Sequence, residues 1–247
     1  GIPHKIMKII RFSKEHHFTS IYIFFLSKML KVLPEDSSFF TTFAANLASN
    51  YIDINKPEKA EPLLIKALGI SRSTLAEGHP KLLPILTAFA KLYNQQDKPK
   101  KAGPLFIEAL AVSRASLPEG HPNIANKLAN LASFYQQQNK PKEAGPLFIE
   151  ALAISRESLH EGHPNIASSL NQLANFYVNQ NKQDEAEPLF IEALEISRAS
   201  LPAGHVYIAN SLHCLAFFYQ HQNQPKEAEP LYVEALGIIR VSLPEGH

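Results

Sequence analysis

One cysteine, Cys214, stands among the 247 residues, so no disulfide can close within the chain. That fits a reducing compartment, and the cytoplasm is the expected setting. Net charge is nearly absent too, with 24 Lys and Arg against 23 Asp and Glu. Such a balance gives no electrostatic case for nucleic acid, whose phosphates demand a clustered basic surface. It hides an asymmetry, because residues 1–33 carry six Lys or Arg against Glu15 alone and the remaining chain is mildly acidic. Long apolar runs are also missing. A membrane-spanning helix needs about 20 apolar residues, yet the longest candidate, residues 21–26 (IYIFFL), ends at Ser27 and Lys28. Basic residues ahead of that run have the order of a secretory signal, but no small-x-small cleavage site follows. Neither a membrane nor a nucleic acid is expected as partner.

With 45% of residues apolar, burial is ample. The stretch LPEGHPNIA at 117–125 recurs in altered form as LAEGHPKLL from Leu75, LHEGHPNIA from Leu159, LPAGHVYIA from Leu201 and LPEGH from Leu243. Its glycines, Gly78, Gly120, Gly162, Gly204 and Gly246, are spaced by a constant 42 residues. A fixed period in this range marks a stack of identical supersecondary units. An active site has no reason to recur at every turn of a stack, whereas a joint does.

Within one unit, Leu128, Leu131, Ala132 and Tyr135 fall at i, i+3, i+4 and i+7, one apolar stripe of a helix. QQNKP at 137–141 interrupts it, and Pro141 suits the first turn of a second helix. There Ala144, Leu147, Phe148, Ala151 and Leu152 form another stripe. Each unit is therefore expected to be two antiparallel helices. Gly120 and Gly162 are expected to take the left-handed conformation that ends a helix, and Pro122 and Pro164 to start the next. The fourth unit, AGHVYIA, lacks that proline. A further proline recurs at Pro62, Pro104, Pro146, Pro188 and Pro230, where the missing N–H is expected to bend the second helix slightly.

Leu131, Ala132, Tyr135, Ala144, Phe148 and Ala151, in this order and spacing, resemble the tetratricopeptide (TPR) signature. The 42-residue period, with EAGPLFIEALAISR at 143–156 and EAEPLYVEALGIIR at 227–240, is similar to the kinesin-light-chain subclass. The resemblance covers residues 37–247, five units. It implies an all-α TPR solenoid, a right-handed superhelix of stacked antiparallel helix pairs. It further implies a non-enzymatic scaffold without cofactor, whose concave face, lined by first helices, holds an extended segment of a protein or peptide partner. Residues 1–36 lie outside it. Residues 20–33 (SIYIFFLSKMLKVL) sit one period before 62–75 and read as a degenerate capping helix; alternatively the native chain starts at Met29. Because the sequence stops at His247 inside a connector, a longer array is expected. No heptad segment for a motor chain is present, so the resemblance implies a mode of action and not a pathway.

The histidines His79, His121, His163, His205 and His247 form the sharpest metal candidate. Stacked helices lie about 8–10 Å apart, while zinc needs its ligands at about 2.0–2.1 Å. Helix capping is the expected role, with no metal. His213 and Cys214 adjoin, but helical neighbours diverge by about 100°, so no nucleophile–base pair is expected. Glu108, Glu150, Glu192 and Glu234 read as the solvated side of the second helices, pairing locally.

Opposite the core stripe, the third unit presents Asn126, Asn130, Ser133 and Gln137. Equivalent sets are Thr42, Asn46, Ser49 and Asp53; Ala88, Lys91 and Gln95; Ser168, Gln172, Asn175 and Asn179; and Asn210, Cys214, Phe217 and His221. Flanking positions add Asn94, Gln136, Asn171, His213 and Gln220. An Asn side chain offers both donor and acceptor, which suits a clamp on peptide amides; solvated filler is the competing reading. Lys91 is the one clear basic residue in these columns, which counts against an acidic motif as ligand. Two other functions stay open. One is self-association through the array ends, and the other is a sensor segment of a larger, for example ATPase-linked, protein.

Overall fold

The computed structural model describes residues 19–34 and 38–242. Gly246, His247 and residues 1–18 lie outside these. Among the described residues the regular structure is helical, and no helix is long and apolar enough to cross a membrane. The chain forms two compact units, residues 1–116 and 117–247.

The first unit holds α1 (Thr19–Val32), α2 (Ser38–Asp53), α3 (Pro57–Thr74), a 3-10 turn (Pro80–Leu82), α4 (Leu83–Gln95) and α5 (Pro99–Ser116). α1 continues through Met29 and buries Leu26 against Phe43 and Leu47 of α2. The second unit holds α6 (Pro122–Gln137), α7 (Pro141–Ser158), α8 (Pro164–Asn179), α9 (Gln183–Ser200), α10 (Val206–His221) and α11 (Pro225–Ser242). α6 pairs with α7, α8 with α9 and α10 with α11. Small residues at the crossings let these helices approach. Ala132, Ala144, Ala174 and Ala186 are fully buried among Phe148, Leu170, Phe190 and Leu212. Gly145 packs closely, since a Cβ there would stand 3.1 Å from the ring of Phe176, which would have to give by a few tenths of an ångström.

The recurring EGH stretch is a joint, with one correction. Helix α5 has already ended at Ser116 when Gly120 is reached. Gly120 (φ 75°) instead occupies the third position of a turn in which the His121 N–H donates to the Pro118 carbonyl, 3.1 Å. That position of a type II turn needs positive φ, which glycine adopts without strain. Gly78, Gly162 and Gly204 repeat the geometry. Pro122 and Pro164 then open α6 and α8 at the first turn.

The left-handed residue that does end a helix lies in the other turn. Asn55, Asp97, Asn139, Asn181 and Asn223 have φ between 53° and 57°. Beyond each, a 6→1 bond closes the helix, such as Lys140 N–H to Tyr135 carbonyl at 2.9 Å. This is a Schellman closure with Asn or Asp in place of glycine.

Candidate functional site

Charge is segregated between the two kinds of helix. In the second unit, the first helices of the pairs, α6, α8 and α10, contain no Asp, Glu or Arg, and their one lysine is Lys127. The second helices α7 and α9 carry the ionic side chains. Arg156 on α7 bonds both oxygens of Glu192 on α9, and Arg198 pairs with Glu234. In the first unit Arg72 does the same with Glu108. These glutamates therefore pair with the neighbouring repeat, 36 residues away, and not within their own helix as the spacing suggested. Half-buried Lys127 has its ammonium pKa pushed down by burial.

The histidines His79, His121, His163 and His205 are N-caps. Each Nδ1 accepts the backbone N–H two residues on, at 3.1–3.2 Å. Among the described residues no three His, Cys, Asp or Glu converge on a metal position. Cys214 is half-buried, and burial raises its thiol pKa. His213 points to Phe217 and Tyr232, with ring centroids 6.2 and 5.8 Å away.

The residues expected to line a groove fall into three groups. In the first unit, Asn46 and Asn94 are half-buried, and exposed Lys91 is ion-paired with Asp53, so its charge is already met. In the second unit, Asn126, Asn130, Asn175 and Asn210 are exposed, and Ser133 and Gln172 half-buried. Ser133, Gln136, Gln137, Asn139, Asn179 and Gln180 surround an open polar cleft of about 560 Å³. On α10 the character changes. Exposed Phe217 and His221 form an edge contact at 4.2 Å, and His213 with Asn210 lines an apolar cleft of about 250 Å³.

Asn171 departs from the exposed flank expected of it. It is 4% exposed, and its Nδ2 donates to Ser211 Oγ at 3.3 Å. Ser211 in turn contacts Ser197 Oγ at 3.0 Å, and Ser197 donates to the Ala193 carbonyl at 2.8 Å. The sequence reading passed over this chain. The signal available was Ser71, Ser113, Ser155 and Ser197, four serines one period apart, all buried. It also passed over Tyr219, whose hydroxyl donates to Glu187 at 2.9 Å. Burial first, then the Glu187 carboxylate, pushes that phenol up to about 12.

Models of the tetratricopeptide repeat match residues 40–115 and 123–199, and another of the same description matches 208–247. No curated protein matches the chain. Among solved structures, the nearly identical TPR-like repeats of a Podosopora anserina putative kinesin light chain are 26% identical, with a TM-score of 0.68 over 83% of this chain and 96% of that one. BtubC (BKLC) from P. vanneervenii is 22% identical, with a TM-score of 0.69 over 95% and 94% of the two chains. A Rap protein complexed with competence and sporulation factor is 15% identical, with a TM-score of 0.70 over 94% and 73%. At these identities the last two likenesses speak for the fold alone. The repeat matches cover most of the sequence, and this protein belongs to the tetratricopeptide repeat family, in its kinesin-light-chain-like form.

Proposed function

We propose that the protein is an interaction scaffold, not an enzyme, and that the first helices of its second unit hold an extended, uncharged segment of a partner protein or peptide. The supporting observation is the charge segregation. Asn126, Asn130, Asn175 and Asn210 lie exposed on helices from which acidic side chains and arginine are missing. An exposed carboxamide both donates and accepts, so successive ones match the amides of an extended backbone. With half-buried Lys127 as their one Lys, Arg, Asp or Glu, these helices give a charged motif little to pair with.

The test is a random peptide library displayed against the full chain, followed by affinity measurement on the best binder. Asn130→Ala, Asn175→Ala and Asn210→Ala combined should weaken that binder by about 1.5–4.5 kcal/mol, three contacts at about 0.5–1.5 each. Glu195→Ala with Glu229→Ala, exposed on second helices, should leave affinity unchanged. Equal loss in both sets would move the site away from the first helices.

A second reading, self-association, is supported by one patch. Val206, Ala209, Tyr232, Ala235, Leu236 and Ile239 line the apolar cleft, with Leu236 54% and neighbouring Val233 64% exposed. Sedimentation of the full chain over a wide concentration range tests it, and a constant monomer mass would remove it.

A further inference from the structure

A second, smaller cavity of about 120 Å³ lies between α8 and α10, lined among others by Asn165, Ser168, Asn171, Ser197, Tyr207 and Asn210. Asn171 is one of its lining residues, and the buried Oδ1 of that side chain has no hydrogen-bond partner. Buried acceptors are normally satisfied, because an unpaired one keeps the whole cost of its lost hydration.

Turning the amide over does not relieve it. A carbonyl only accepts, so the single hydrogen of Ser197 goes to Ala193. Ser197 Oγ must then accept from Ser211, which commits the hydrogen of Ser211. Ser211 has lone pairs alone to offer Asn171 and takes its Nδ2–H. The relay runs one way, from Asn171 to Ala193, and holds Oδ1 as the open end. Among the described residues it is found in one repeat. The preceding pair repeats the serine contact, Ser155 to Ser169 at 3.0 Å, but carries Ala129 in the register of Asn171.

We propose that this cavity is a subsite for a neutral primary carboxamide, an Asn or Gln side chain of the bound segment, whose N–H donates to Asn171 Oδ1 once a small turn of the Asn171 amide brings that oxygen to the cavity wall. The proposal rests on the groove reading above and names the group that one position of the segment supplies. No ionic side chain lines the cavity, so an ammonium or carboxylate entering it would lose hydration with no opposite charge to offset the loss. Asn165, Ser168 and Asn210 provide donors for the carboxamide oxygen. Water takes about 30 Å³ per molecule in the liquid, so the space suits a group of a few heavy atoms. A backbone amide carries chain at both ends, whereas a side-chain amide enters by one.

The test uses acetamide as the probe on the full chain, with acetate and ammonium as comparisons. The readouts are the Asn171 side-chain amide and Ala167 methyl resonances. Acetamide should give saturable shifts with a Kd on the order of millimolar, as expected for four heavy atoms, and acetate and ammonium should not. Asn171→Leu should weaken the response by about tenfold. Ser197→Ala keeps Asn171 but frees the Ser211 hydrogen, so the Asn171 amide can turn over and Oδ1 accept it; this variant should weaken acetamide similarly in a chain of unchanged helicity. Absence of saturable shifts in the parent, an equal response to acetate, or undiminished binding by folded Ser197→Ala would each overturn the proposal. The probe needs no partner segment, so failure here leaves the groove reading standing, and a chain that binds no library peptide leaves this result standing.

Discussion

Arg156 and Glu192 sit on second helices of adjacent repeats, and the Arg156 Nη2 stands 2.7 and 2.8 Å from the two carboxylate oxygens. The same rung joins Arg72 to Glu108 and Arg198 to Glu234. Both side chains of the Arg156 rung are substantially exposed, 49% and 39%, so water screens the attraction. Arg156→Ala should therefore cost no more than about 1 kcal/mol in urea unfolding. In 1 M salt, where the screening length is about 3 Å, the difference should vanish. A loss of several kcal/mol that survives salt would mean that the rungs, and not the buried alanine and aromatic layers, hold neighbouring repeats together.

The histidine caps act through an acceptor atom, not through the ring as such. His121→Ala removes the partner of the Asn123 N–H and should destabilise the protein by about 0.5–2 kcal/mol, the usual worth of an N-cap. His121→Asn supplies a side-chain oxygen in the same place and should recover most of that. Denaturant midpoints decide between the two. Equal losses from both variants would assign the effect to packing of the imidazole.

Asn181 carries a positive φ of 55° at an exposed turn, where a Cβ other than that of Asn or Asp is strained. Asn181→Ala should cost about 1–2 kcal/mol, while Asn181→Gly should lie within a few tenths of the parent. Thermal unfolding of the two variants measures the difference. If Gly were as damaging as Ala, the side-chain amide and not the backbone angle would be what the turn needs.

Tyr219 gives the fold an alkaline edge. Its phenol is held protonated up to about 12, against an ordinary value of 10.0. A raised folded-state value stabilises the protonated form, so the contribution is complete below pH 10 and lost as pH rises towards about 12. Stability should decline across that window, and Tyr219→Phe should flatten the decline. The difference in phenolate absorbance between parent and variant should titrate at about 12; a midpoint at 10.0 would contradict the Glu187 bond.

The helix pairs were legible because their cores depend on spacing alone: Leu128, Ala132 and Tyr135, then Ala144 and Phe148, repeat at helical intervals within a 42-residue frame. What was not legible depends on neighbours. Asn171 stands at the edge of its helix's polar face, and whether it meets water or protein is decided by Ser197 and Ser211, on two other helices. Glu192 reads as a solvated carboxylate until Arg156 of the previous repeat is brought beside it. Gly120 signalled its positive φ correctly, but the helix before it had already ended at Ser116, so the glycine serves a turn.

The most direct measurement of the central claim is nuclear magnetic resonance of the isotope-labelled full chain, titrated with the highest-affinity peptide from the library. The side-chain amides of Asn126, Asn130, Asn175 and Asn210 and the backbone of α6, α8 and α10 should shift in a saturable, stoichiometric way, while exposed positions of α7 and α9 stay still. Shifts confined to α7, α9 and α11, with those four amides unmoved, would contradict it.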